Sequence, residues 1–187
     1  MLYYSPQIWA SDNTDPIERL YIQFGTSMCY PASTMGAHVS ACDRTGYKTK
    51  GNVALWGTFG YELDPLKLTD SDREIIKEQV KLYHNTYDLI RNGDLYRLVS
   101  PFVNPYRAVW EIVSPDKSRA MVTVVTMRGE CAPHTIVKLR GLEPQRYYRN
   151  EKTGETYSGA LLMNAGLNLT YTANNDGDSE LLIFTAI

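Results

Sequence analysis

The chain has 187 residues, 43% of them hydrophobic and 21% charged, and a formal net charge of -2. That is enough for one large domain or two small ones with a buried core. The balanced charge, with no basic surplus or cluster, speaks against nucleic acid or an anionic membrane as partner, and no stretch approaches a membrane span.

The first ten residues are apolar and aromatic with Pro6 among them, and read as a strand with its lead-in. A polar elbow follows from Ser11. Asp15 fits a helix cap, Pro16 the first helical position, and Glu18 the third residue of a capping box. The helix runs to about residue 27, with Ile17, Leu20, Tyr21 and Phe24 at helical spacing. Strand, tight turn and helix form the corner of an α/β barrel, where active sites gather. Asp12 lies in that turn, and a carboxylate at a strand's C-terminal end is a candidate acid or base.

Cys29 to Ser33 reads as the next short strand or its approach, Met35 to Ser40 as a loop on the active face, and residues 42 to 51 as an exposed loop. Asn52 to Leu63 reads as a buried strand through Val53-Ala54-Leu55-Trp56, stopped by Asp64-Pro65. Its Gly57 and Gly60 suit close packing more than ligand approach. Thr69 to Arg91 is the clearest helix. Ile76, Val80, Tyr83, Tyr87 and Ile90 form its stripe, Ser71 and Glu74 its capping box, and Asn92-Gly93 its stop. After residue 98 the pattern alternates. Strands are expected at Val109 to Val113, Ala120 to Thr126, Thr135 to Leu139, Gln145 to Arg149 and Leu181 to Thr185, with turns at 114 to 118 and 174 to 178. Short strands at this spacing predict an antiparallel sandwich, with the boundary between Leu95 and Pro105. Cys29, Cys42 and Cys131 form no CxxC pair. They read as free thiols in a reducing, cytoplasmic setting and offer no zinc site. No signal peptide is visible at the N-terminus. Fourteen tyrosines against four phenylalanines suit sugar-stacking and sheet surfaces equally.

Four blocks in order carry a family resemblance. Trp9-Ala10-Ser11-Asp12-Asn13-Thr14-Asp15 with Ile17-Glu18-Arg19-Leu20, then Met35 to Ser40, then Gly57 to Asp64, then Tyr157-Ser158-Gly159 with Leu162 to Leu167, resemble the bacterial α-galactosidases of glycoside hydrolase family 36. The resemblance covers nearly the whole chain. It implies an α/β plus all-β fold: residues 1–95 as the C-terminal portion of a TIM (β/α)8 barrel, and 96–187 as an antiparallel β-sandwich. A whole barrel needs about 250 residues. The chain is therefore expected to lack the family's N-terminal β-domain and most of its barrel, with Met1 an internal methionine of a fragment or truncated product. Barrel strands without neighbours expose edges, so residues 1 to about 95 are expected to self-associate.

The resemblance implies hydrolysis of terminal α-galactosides such as raffinose and melibiose, with retention, by two carboxyl groups about 5–5.5 Å apart. The family's acid/base is the first aspartate of the Ser-Asp-Asn-Thr-Asp elbow, which falls on Asp12. Asp15 is spent as a cap, which favours its ionised form, whereas an acid must hold its proton. The family's nucleophile lies in a Lys-Trp-Asp motif that this chain does not contain, and the cysteine- and glycine-rich substrate loop is absent too. No metal or nucleotide cofactor is implied, and relatives of this type are often tetramers. Trp9 suits stacking on the sugar face and barrel packing alike. His38 reads as a structural histidine without a partner carboxylate or metal-ligand spacing, and His84 and His134 as surface positions. Glu62 and Asp64, runners-up by their place at a strand end, read as structural. The rival readings are a non-catalytic sandwich module with a barrel remnant, and a same-family α-N-acetylgalactosaminidase or galactosyl transferase.

Overall fold

In the computed structural model, which describes residues 3–12, 15–41, 44–129, 135–170 and 172–187, the chain divides into two units, Met1–Arg91 and Asn92–Ile187. The first is organised on a parallel three-stranded sheet: β1 (Ile8–Trp9), β2 (Met35–Ser40) and β3 (Thr58–Glu62), in that spatial order. Between them run α1 (Pro16–Ser27) and α2 (Tyr47–Ala54), and α3 (Asp70–Asn92) follows. Parallel strands need such crossovers, since a tight turn can join only antiparallel ones.

The helix α1 is as the sequence predicts. Asp15 caps it, accepting from the backbone N–H of Ile17 at 2.7 Å and of Glu18 at 3.3 Å. Ile17, Leu20 and Phe24 are buried. The next three segments need correction. Met35 to Ser40 is not a loop but β2, with every residue buried. Its Ala37 and Val39 cluster with Ala54, Phe59 and Tyr61, while Gly36, His38 and Ser40 alternate to the other face. Residues 47–54 are helix rather than exposed loop, and Thr49, Lys50 and Asn52 are buried. The polar look of that stretch misleads because Lys50 lays its ammonium 4.3 Å from the centre of the Tyr47 ring. Val53-Ala54-Leu55-Trp56 is the end of α2 and its turn, so the expected strand begins later, at Thr58. Trp56 is fully buried, edge to face with Phe24 at 4.6 Å. Gly57 is a close-packing glycine, since a Cβ there would collide with the Met35 carbonyl oxygen, whereas Gly60 faces open space.

The start of α3 also differs from expectation. Its capping box is Thr69 with Asp72, not Ser71 with Glu74. The Thr69 N–H donates to Asp72 Oδ2 at 3.1 Å, and the Asp72 N–H to Thr69 Oγ1 at 3.2 Å. Glu74 instead meets Lys77. The buried stripe is Gln79, Thr86, Leu89 and Ile90, rotated from the apolar one, leaving Val80 and Tyr87 exposed. Gln79 drives that rotation: it accepts from the Tyr61 hydroxyl at 2.8 Å and donates to the Tyr47 carbonyl at 2.6 Å. His84 is exposed, as expected, and His134 lies outside the described residues.

The second unit is antiparallel. Its main strands are β4 (Asp94–Val99), β5 (Arg107–Val113) and β6 (Arg119–Thr126). After the short β7 (Ile136–Val137) come β8 (Tyr147–Asn150), β9 (Thr156–Ser158), the helix α4 (Gly159–Asn164), β10 (Leu167–Asn168) and β11 (Ser179–Ala186). Six strands form one sheet in the order β4-β5-β6-β11-β8-β9, and β10 pairs with β7. Val109, Val113, Val122, Val124 and Phe184 pack against Val137, Leu139, Leu162, Leu167 and Leu169. The turn at 114–118 is held by Asp116, which accepts from the Ser114 hydroxyl and from the N–H and hydroxyl of Ser118. Those bonds pull its carboxyl down to about 2.

One inward position of β5 is a carboxyl. Glu111 is fully buried, its Oε2 accepts the Arg140 N–H at 2.8 Å, and its Oε1 has no hydrogen-bond partner among the described residues. Burial lifts its pKa from 4.5 to about 8, opposed by the Arg140 bond. The folded state thus prefers the protonated form. Its contribution to stability is complete below about pH 4.5, erodes as the pH rises, and is gone above about pH 8. The loss is on the order of a few kcal/mol. Glu111→Gln should therefore flatten the fall in thermal stability between roughly pH 5 and pH 8. An unchanged slope in calorimetry across that window would contradict the assignment.

Candidate active site

The C-terminal ends of the parallel strands gather the chemistry. Asp12 is exposed just beyond β1, at the margin of the sheet. The Trp9 indole N–H donates to its Oδ1 at 2.6 Å. The other carboxylate oxygen has no hydrogen-bond partner among the described residues. Trp9 is half exposed, and its ring lies flat on the imidazole of His38, with centroids 4.6 Å apart and planes 6° from parallel. The strand register makes this possible. Trp9 pairs with Gly36, so both sit on the face that carries His38 two residues on. A Cβ at position 36 would stand 3.0 Å from the Ile8 carbonyl oxygen and 3.1 Å from the Trp9 ring, so a side chain there would press on the indole and require it or the backbone to give by a few tenths of an ångström.

His38 corrects the sequence reading twice. A partner carboxylate is present: Glu62 Oε2 lies 3.1 Å from its Nε2. The histidine is also not satisfied. The approach of Glu62 is close enough for an ion pair but out of line for a hydrogen bond, and neither ring nitrogen has a hydrogen-bond partner among the described residues. Burial and the positive Arg19 push its pKa below the usual imidazole range, against Glu62 and Asp12, so the ring is neutral at neutral pH. Sequence reasoning missed the pair because Glu62 reaches His38 across the β2–β3 register, in which Ser40 stands opposite Glu62.

Beneath the elbow, Arg19 of α1 is buried and donates to the Ser11 carbonyl at 3.0 Å and to the Gly36 carbonyl at 3.5 Å. It ties the turn to β2. Asp15 is occupied by its cap and by Arg44, 3.0 Å from its Oδ2. Asp64 caps a short 3-10 turn by accepting the Leu66 N–H at 3.0 Å, a structural role as expected. A cavity of about 320 Å3, lined by Ser33, Thr34, Thr58, Tyr83, Tyr87 and Arg91 among others, opens at the N-terminal ends of β2 and β3, opposite to Asp12. Among the described residues no cluster of His, Cys, Asp and Glu could hold a metal ion, and no helix is long and apolar enough to cross a membrane.

A carboxyl group with one oxygen anchored and one free, at the C-terminal margin of a parallel sheet, is equipped to exchange a proton with a bound molecule. Known proteins agree on the class. Residues 1–93 match the family described as Melibiase, and residues 107–184 the glycosyl hydrolase family 36 C-terminal domain. The bifunctional alpha-galactosidase/sucrose kinase AgaSK of Mediterraneibacter gnavus is 48% identical over 176 residues, 90% of this chain and 19% of its own length. Alpha-galactosidase AgaA of Geobacillus stearothermophilus is 44% identical over 182 residues, 94% of this chain and 25% of its own. A crystal structure of a variant of AgaA with 1-deoxygalactonojirimycin superposes on the whole chain with a TM-score of 0.95 at 43% identity, using 27% of that protein. A variant of AgaA is known in complex with raffinose, at a TM-score of 0.94 and 42% identity over the same shares. The chain belongs to glycoside hydrolase family 36 and corresponds to a C-terminal part of its α-galactosidases. It spans about a fifth to a quarter of the relatives it matches.

Because Asp15 starts the helix behind the elbow, Asp15→Ala should destabilise the first unit by about 1 kcal/mol. That lowers its Tm by about 5 °C. A thermal scan showing no shift would mean that the cap is not what fixes the turn.

Proposed function

We propose that this chain supplies the acid/base half of a retaining α-galactosidase site, with Asp12 as proton donor and acceptor. The observation that carries the reading is an exposed carboxyl at the C-terminal end of a parallel strand, anchored through Oδ1 to Trp9 and with no hydrogen-bond partner for Oδ2 among the described residues. Residues 1–95 act as the last strands and helices of a (β/α)8 barrel and residues 96–187 as an antiparallel sandwich domain. Asp12 protonates the glycosidic oxygen as the bond from the anomeric carbon breaks. A carboxylate from polypeptide outside these residues takes the sugar. Asp12 then removes a proton from the incoming water. The substrates are α-galactosides of the raffinose and melibiose type, with Trp9 beside the sugar, and two carboxyl groups suffice without a cofactor. The working form is a cytoplasmic homo-oligomer.

The test is hydrolysis of a chromogenic α-galactoside and of raffinose by the 187-residue chain, alone and joined to the upstream barrel of a family member. The chain alone should be inactive and the joined protein active. In the joined protein Asp12→Asn should lower raffinose turnover by roughly 10²–10⁴. Turnover by the chain alone, abolished by the same substitution, would show a complete site and contradict the shared one. An active joined protein indifferent to residue 12 would remove Asp12 from the chemistry and leave the chain a structural module.

A further inference from the structure

His38 is a buried polar side chain whose nitrogens make no hydrogen bond among the described residues, yet it sits one ring away from the carboxyl group on which the proposed reaction turns. It is 4% exposed. A buried imidazole ordinarily uses its nitrogens, because leaving them unpaired costs free energy. Here its flat face is what makes contact, parallel to Trp9 at 4.6 Å. Trp9 ends a two-residue strand and is 54% exposed, so its own strand holds it weakly. The imidazole beneath and the missing side chain at Gly36 fix where the indole can lie. Its N–H is a donor only, so Oδ1 of Asp12 must be the acceptor.

We propose that His38 is a positioning residue for the acid/base step. Its imidazole holds the Trp9 indole at the angle from which the N–H grips Asp12 Oδ1, leaving Oδ2 to carry the exchanged proton. This rests on the acid/base reading of Asp12. In the first half-reaction the proton on Oδ2 passes to the glycosidic oxygen as its bond to the anomeric carbon breaks and the second carboxylate bonds to that carbon. In the second, water attacks the anomeric carbon, its proton returns to Oδ2, and the second carboxylate leaves. Oδ1 stays bound to the indole throughout. The ring is kept uncharged by its burial and by Arg19, so it supports Trp9 without drawing the Asp12 carboxylate toward itself.

The test uses a complete α-galactosidase polypeptide carrying these 187 residues, with His38→Ala, His38→Phe, Trp9→Phe and Asp12→Ala. Two substrates are compared. Raffinose has a leaving group that must be protonated, and 2,4-dinitrophenyl α-galactoside has one that departs unaided. His38→Ala should lose about tenfold or more in kcat/KM on raffinose, as a misdirected acid does. It should stay within about threefold on the dinitrophenyl substrate. His38→Phe keeps a flat ring and should recover most of the raffinose rate. Trp9→Phe keeps the stack but removes the N–H, and should show the same selective loss, which decides the matter if His38→Ala does not fold. Equal losses on both substrates, no loss on raffinose, or a Phe variant as poor as Ala would overturn the proposal. Asp12→Ala separates the two readings. If it shows no dependence on leaving group, the acid/base assignment fails. If it shows a strong one and the His38 and Trp9 variants do not, only the positioning role fails.

Discussion

The hydrogen bond from the Trp9 indole to Asp12 Oδ1 is the contact on which the rest of the site depends, and it exists only because of a register. Residues 9 and 36 are paired across β1 and β2, and residue 36 is a glycine. A side chain there would crowd the Ile8 carbonyl and the indole, which lies against the imidazole of His38 and anchors the carboxyl at the strand end. Arg19 adds the second restraint by joining the Ser11 and Gly36 carbonyls from below. An exposed acid on a loop would ordinarily wander. This one is held through one oxygen by groups that are themselves held.

In the proposed reading, the same geometry assigns the acid chemistry to Asp12 and not to its neighbour Asp15. Asp15, three residues on, has its oxygens on the helix N-terminus and on Arg44. Those partners take up its oxygens and leave little for a substrate. Among the described residues Asp12 meets one donor and keeps an oxygen open. The division follows from the elbow's short length, which places one carboxyl at the helix start and the other at the strand end. Retaining hydrolysis requires a second carboxyl about 5–5.5 Å away. In this reading it arrives from polypeptide beyond the chain, which matches relatives roughly four times its length.

What could be read in the sequence was what local chemistry writes there. Asp15-Pro16 and Glu18 mark a helix start because capping needs only residues close in sequence, and Thr69 to Arg91 reads as helix even though its capping box and buried stripe fall on other residues than expected. The central strands of the second unit were legible through their alternation, and Ser114 to Ser118 through its turn residues. What failed depended on tertiary partners. Residues 47–51 look like a loop because their lysines, threonine and glycine carry no apolar stripe, yet Gln23 and Gln79 bind the backbone of the helix they belong to and make it interior. Met35 to Ser40 looks irregular until β3 lies beside it. His38 and Glu62 are 24 positions apart and meet only through that pairing. β4 was missed because only Gly93 separates it from the end of α3. Glu111 was hidden inside a correctly read strand, since alternation says which way a residue points but not that a carboxyl could be buried there in its protonated form.

The role of residue 12 is tested most directly by the stereochemistry of chemical rescue. With Asp12→Ala in a complete polypeptide, azide would be supplied with an activated α-galactoside and the product examined by NMR. An acid/base residue leaves the nucleophile intact, so azide enters where water would and the account predicts an α-galactosyl azide of retained configuration. A β-galactosyl azide would mean that residue 12 is itself the nucleophile. Unaltered hydrolysis without azide product would mean that it takes no part, and either result would contradict the account.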